Sequence, residues 1–253
     1  MPETFYMLSM ALDLDKLMRR GFERKLPMRE IDAGYLVHMQ LGELFGELAP
    51  RPFRVDRHEG RKIRILAYSD SSADVLKDHA DALADPVVHS VCDWSAFAGK
   101  AMPGTFKPGQ RFGFELRSCP VVRLAKAGTK TTRNGDKVQV KKGAEVDVFI
   151  QQAWARPDEK LSREMIYREW LEGQFNRRGG ARLTGLKIKA FNRERLVRRD
   201  HTAQRKAHRV ERPDALFEGK LEITDGESFV GMLRAGLGRH RGFGFGMILL
   251  QAK

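Results

Sequence analysis

The chain has 253 residues, 42% of them apolar and 31% charged, with a net charge of +13; this is an ordinary globular composition with room for one large core or two small ones. No apolar run approaches the ~18 residues of a membrane-spanning helix, and Met1 to Arg20 lacks the apolar stretch of a signal peptide, so a cytosolic (cytoplasmic) chain with no membrane partner is expected. The two cysteines, Cys92 and Cys119, are far apart and have no second pair, which excludes a cysteine-rich zinc module and fits reduced thiols.

Thr4 to Leu14 alternates as a strand, and behind Asp32 as N-cap the apolar residues Val37, Leu41, Leu44, Phe45 and Leu48 recur at helical spacing. Phe53 to Asp56 and Lys62 to Tyr68 read as strands around a His58-Glu59-Gly60-Arg61 turn. Ser72 caps a helix over 73–83, and Val87 to Trp94 reads as a fourth strand. The order β-α-β-β-α-β is that of a ferredoxin-like (RRM-like) unit, an antiparallel sheet with two helices on one face. Pro103-Gly104 and Lys107-Pro108-Gly109 then mark a linker, which divides the chain into expected domains 1–100 and 106–253.

The second half opens with a strand over Arg111 to Arg117, followed by a stretch of mixed period from Ala144 to Trp154. Ser162 to Phe175 is a helix with Met165, Ile166, Trp170 and Leu171 on one side. Leu183 to Phe191 and Ala215 to Ile223 read as strands joined by an arginine-rich connection from Asn192 to Arg212, and Asp225 caps a helix through Ala235. Met247 to Leu250 closes a second β-α-β-β-α-β order, so the expected class is α+β with tandem ferredoxin-like domains.

The charge is unevenly placed. The first 95 residues carry 13 basic and 16 acidic side chains, so the positive excess lies entirely beyond them. Residues 117–142 hold 8 basic side chains against 1 acidic, and residues 177–212 hold 13 against 3. Solvated faces mix signs, whereas these stretches are nearly single-signed and suit a polyanion. The 193–212 stretch has little apolar content to insert into a membrane surface, which favours nucleic acid. Arg117, Arg123, Lys126, Arg193, Arg195, Arg198, Arg199 and Lys206 are the candidate phosphate contacts.

Between the last helix and last strand lies a loop with five glycines, Gly236-Leu237-Gly238-Arg239-His240-Arg241-Gly242-Phe243-Gly244-Phe245-Gly246. Glycines let backbone N–H groups turn toward one anion, and Arg239 and Arg241 supply charge. A Walker A loop needs Gly-Lys-Ser/Thr, and a dinucleotide fingerprint needs a glycine at 241 and a helix after it; neither is met. Arg241-Gly242-Phe243-Gly244-Phe245 opens like the RNP1 pattern of RNA-recognition modules, but Gly246 then breaks the match.

Three segments resemble the CRISPR repeat-processing endoribonucleases, in particular the CasE family of type I-E systems. They are the glycine loop running into Met247-Ile248-Leu249, the strand from Phe106 to Pro120, and Tyr35-Leu36-Val37-His38 in the first helix, which resembles the family's Tyr-x-x-His pair. The stretch from Lys142 to about Arg163 is longer than usual, and Ser118-Cys119 departs from the family pattern. The resemblance implies a CRISPR repeat hairpin RNA as substrate, metal-independent cleavage at the 3′ base of its stem, retention of the product and assembly with other Cascade subunits. It implies His38 and Tyr35 as catalytic residues, and Gly236, Gly238, Arg239, Arg241, Gly244 and Gly246 as RNA contacts. A histidine suits either proton transfer of a 2′-hydroxyl attack. No cofactor is expected, and the remaining histidines show no metal-ligand spacing. A non-catalytic RNA-binding subunit of a ribonucleoprotein is the rival reading of the same residues.

Overall fold

The computed structural model describes residues 4–28, 32–132, 134–199 and 207–251, and for residues 59, 195–199 and 207–210 the backbone alone. The first half runs β1 (Tyr6–Asp13), α1 (Leu14–Glu23), α2 (Ala33–Phe45), β2 (Phe53–Glu59), β3 (Lys62–Ser69), α3 (Ala73–Leu83), α4 (Pro86–His89) and β4 (Cys92–Ala101). Its sheet has the order β2-β3-β1-β4, antiparallel throughout. The second half runs β5 (Arg111–Ser118), β6 (Val121–Arg123), β7 (Gly128–Thr131), β8 (Lys137–Val140), β9 (Glu145–Asp147), α5 (Val148–Ala155), α6 (Arg163–Arg178), β10 (Ala181–Arg199), β11 (Ala207–Ile223), α7 (Gly226–Ala235) and β12 (Ile248–Gln251). Its main sheet, β10-β11-β5-β12, repeats the order of the first. In both sheets the first strand is central, the ferredoxin-like arrangement, and the fold is α+β with tandem antiparallel sheets.

Local chemistry accounts for the helix starts. Asp32 accepts from the Tyr35 N–H at 2.9 Å, Ser72 from Val75 at 3.3 Å, Ser162 from Met165 at 3.3 Å and Asp225 from Ser228 at 2.8 Å; each satisfies a donor that the first helical turn leaves open. The expected helices at 73–83 and 226–235 stand with these caps.

Four sequence expectations are corrected. Val87 to Trp94 is not one strand: Pro86 at the first helical position starts the short α4, and β4 begins only at Cys92. The helix α1, absent from the sequence reading, follows β1 directly, with Asp13 accepting from Lys16 at 3.0 Å as its cap. Met165 is 62% exposed, off the buried side of α6 that carries Ile166, Leu171 and Phe175. Of the connection read over 192–212, residues 192–199 and 207–212 continue the β10–β11 ladder, paired in register from Asn192↔Asp214 to Arg199↔Ala207, and the rest lies outside the described residues. Residues 144–154 likewise resolve into β9 and α5.

The halves share a core. Phe5, Leu66 and Tyr68 of the first half pack in the same buried cluster as Phe114, Phe217, Phe229 and Ile248 of the second. The Tyr68 hydroxyl, buried, donates to the Ile248 carbonyl at 2.9 Å. Arg54 and Glu115 meet at 2.7 Å across the junction, and Lys189 completes the pairing at 3.0 Å. A buried ion pair with several partners orients surfaces more than it stabilises them. The helix α2, packed on the first sheet, is thereby held beside the loop that ends α7.

Candidate active site

Tyr35 and His38 lie three residues apart on α2, which places their rings on one side of the helix. Tyr35 is 8% exposed, whereas His38 faces solvent. The glycine loop supplies the third ring. Phe243 stacks on Tyr35 with centroids 6.1 Å apart and planes 7° apart, and it lies 4.5 Å from the His38 ring. At Gly242 a side chain would point at the imidazole, its Cβ 3.7 Å from His38 Nδ1.

Such close approach needs a gap in the helix surface, and Gly34 provides it. A Cβ there would stand 2.2 Å from the Phe243 carbonyl oxygen, well inside contact distance. The loop is pinned at its neck. Gly236 ends α7 by donating to the Met232 carbonyl at 2.8 Å; Leu237 donates to Gly246 at 2.9 Å, and Gly246 to Arg117 at 2.8 Å. Gly246 adopts φ +83°, and a Cβ on it would meet the Leu237 oxygen at 2.5 Å, so no other residue fits there. His240 also takes a left-handed conformation, φ 60° and ψ 27°, without glycine's freedom. Strain of this kind persists only where its surroundings hold it.

Those surroundings are ionic. Glu145, at the start of β9, pairs with Arg239, lies 2.9 Å from His240 Nε2 and 3.5 Å from Arg212. His240, with Arg239 behind it, holds the Glu145 carboxyl down to about 2 against the opposing effect of burial. Arg117 is engaged on the other side: Asp214 accepts from it at 2.9 and 3.0 Å and Glu194 at 2.5 Å, and its guanidinium lies 4.6 Å from the Phe245 ring centroid. Burial works against its charge, but these carboxylates raise its pKa above the ordinary arginine value. Arg241 differs. It donates to the Ala235 carbonyl, and burial together with Arg178, Arg51 and Arg239 lowers its pKa.

The structure therefore brings Tyr35, His38, Gly236, Gly238, Arg239, Arg241, Gly244 and Gly246 to one place, with Arg117 braced against Gly244. Arg123 and Lys126 are exposed on the ribbon from β6 to β9, Arg123 directly across the ladder from Glu145. Arg193 lies on β10 and pairs with Glu211 at 3.3 Å. Arg195, Arg198 and Arg199 fall on the β10 ladder with side chains outside the described residues, and Lys206 lies outside them altogether. Sequence reasoning passed over Phe243, Gly34 and Glu145. Phe243 was legible as an aromatic set between two glycines; Glu145 as one of few acids near a basic stretch; Gly34 had no local signal. Among the described residues no group of three or more His, Cys, Asp or Glu side chains converges as a metal site, and no helix is long and apolar enough to cross a membrane.

The sequence model of a family described as CRISPR-associated protein matches residues 5–252. The CRISPR-associated endoribonuclease Cse3 of Thermus thermophilus is 30% identical over 168 residues, which span 62% of this chain and 66% of that relative, just under two thirds of its length. Among solved structures, Cse3 bound to a 19-nucleotide RNA is similar with a TM-score of 0.60 and 21% identity, over 98% of this chain and 100% of that one. Cas6e from Escherichia coli K-12 is similar with a TM-score of 0.61 and 16% identity over the same shares. At these identities the two structures speak for the fold.

Proposed function

The chain belongs to the CRISPR-associated protein family, with the motifs of its CasE branch, and from that membership we propose that it is an endoribonuclease that processes CRISPR precursor RNA. It cuts at the 3′ base of the repeat hairpin, stays on the product and serves as a Cascade subunit; residues 1–100 and 106–253 are its two domains. One relative supports this reading twice: Cse3 carries the name endoribonuclease, and a solved structure of Cse3 holds RNA. A CRISPR RNA-guided surveillance complex contains a chain of similar fold, with a TM-score of 0.56.

The observation that carries the reading is the His38 ring set against Gly242 and Phe243 of the loop. RNA brings its own nucleophile, the 2′-hydroxyl beside the scissile phosphate. The hydroxyl oxygen forms a bond to phosphorus, the bond to the 5′-oxygen breaks, and a 2′,3′-cyclic phosphate and a 5′-hydroxyl result. His38 serves the proton transfer, at the attacking or the departing oxygen. Phe243 fixes the imidazole from the loop side and Tyr35 backs Phe243, so the ring meets a phosphate already seated on the loop. Arg241 adds the positive field of the loop as the phosphorane gathers negative charge. Arg239 and Arg117, committed to carboxylates in the free chain, hold the loop in shape. No step requires a metal ion.

Repeat RNA incubated with the protein in excess chelator is expected to be cut once, at the stem base. His38→Ala is expected to abolish cutting and leave hairpin affinity within about threefold. Cutting at the parental rate by that variant contradicts the assignment of His38, and binding without cutting by the parent favours the non-catalytic reading.

A further inference from the structure

Beside the glycine loop, on the far side of Gly242 and Phe243 from α2, opens a cleft of about 770 Å³, walled on the other side by the segment from Glu47 to Pro52. A volume of about 300–1,000 Å³ suits a single small ligand, and a duplex stem does not enter it. Its charges do not cancel. Of its three carboxylates, Asp70 is taken by Arg234 at 2.6 Å and Glu145 by Arg239, His240 and Arg212, while Glu47 stands on the same wall as Arg51, so four arginines face three acids. Arg51 and Arg241 line the cleft and make no ion pair with a carboxylate among the described residues. Arg178 adds its field to theirs at Arg241. Like charges in excess of the acids around them repel one another, and an anion seated between Arg51 and Arg241 relieves that repulsion. Leu48, 40% exposed, and Pro50 give the same cleft an apolar wall.

We propose that this cleft is a subsite for one nucleotide of the single strand downstream of the scissile phosphate, its phosphate held by Arg51 and Arg241 and its base laid against Leu48 and Pro50. The inference rests on the proposed function, in which duplex lies on the 5′ side of the cut and single strand on the 3′ side. The shared wall of Gly242 and Phe243 sets the subsite one step from His38. It makes the enzyme sensitive to the single strand beyond the hairpin, apart from the stem itself.

The test compares two hairpin RNAs, each with a 2′-deoxy nucleotide at the cut position: one ending at the stem base, the other extended by four 3′ nucleotides. The wild-type chain is expected to bind the extended hairpin about tenfold more tightly, the effect of one charge-assisted contact. Arg51→Gln is expected to bind the short hairpin as the wild type does and to lose most of the advantage of the extension. An extension that adds nothing in the wild type, or an Arg51→Gln variant that weakens both hairpins equally, overturns the subsite while leaving the proposed function intact. If neither hairpin binds, the proposed function fails separately. A 5′-phosphorylated RNA tetranucleotide then decides the subsite: binding to the wild type and not to Arg51→Gln supports it, and no binding to either overturns it.

Discussion

Between α2 and the tail of the chain, Phe243 is in contact with both rings of the candidate pair, at 6.1 Å from Tyr35 and 4.5 Å from His38. Removing it takes away the ring that sets the angle of the imidazole from the loop side. Phe243→Ala is therefore expected to lower kcat about 100-fold, the cost of a misplacement of about 1 Å, with hairpin affinity little changed; single-turnover cleavage and equilibrium binding separate the two. An equal loss in both would make Phe243 an RNA contact instead. Glu145 acts on the loop electrostatically. Its carboxyl sits at about 2 in the folded chain against an ordinary 4.5, so its stabilisation is complete above pH 4.5 and fades as pH falls toward 2. Glu145→Gln is expected to melt about 2–4 °C below wild type at pH 7, corresponding to about 1 kcal/mol once solvent screening is allowed for. That gap should close as the pH is lowered through the window from 4.5 to 2. A gap that stays constant across it contradicts the assignment.

At the scale of elements, the elements whose ends carry their own chemistry were legible. Asp32, Ser72, Ser162 and Asp225 each sit before an apolar repeat and each caps the expected helix. What the sequence hid is of another kind. The ribbon of β10 and β11 is so rich in arginine beyond Asn192 that its alternation has no apolar side to show, and pairing with a sister strand, not burial, keeps it extended. Helix α1 has its own amphipathic face, with Leu17 and Gly21 buried, but it continues from β1 without a break, and the strand's alternation runs into its first residue. The loop's fit onto α2 depends on residues more than 200 positions apart, a distance that no local pattern spans. Gly34 shows this most sharply. In an exposed helix, glycine to alanine favours folding by about 1 kcal/mol, yet here the new methyl would collide with the Phe243 carbonyl at 2.2 Å. Gly34→Ala is expected to destabilise the chain by about 1–3 kcal/mol and to slow cleavage at least as much as Phe243→Ala. Thermal melting and cleavage rate check this; a stabilised and fully active variant would mean that the loop does not rest on α2.

Across the whole molecule, charge and chemistry are separated. The first half is slightly acidic and carries His38, while the second carries the positive excess and the loop. The shared core around Phe5, Leu66 and Tyr68 and the Arg54–Glu115 contact keep the two in one geometry. Much of the described arginine and lysine on the main second sheet is neutralised within the protein, as Arg182 and Arg111 are by Glu222 and Lys187 is by Glu218. The ribbon of β7 and β8 is instead exposed up to Val140 at its end. If about five cations reach phosphates, the logarithm of hairpin affinity should fall by about four units per decade of salt. A flat response would remove the electrostatic footprint.

The claim on which the rest turns is that the RNA's own 2′-hydroxyl attacks the phosphate beside His38. A repeat hairpin with one 2′-deoxy nucleotide immediately before the cut tests it directly, with cleavage and affinity measured in the same sample. The account predicts affinity equal to that of the all-ribose hairpin and no cleavage at that position. Cleavage there at the all-ribose rate would contradict it.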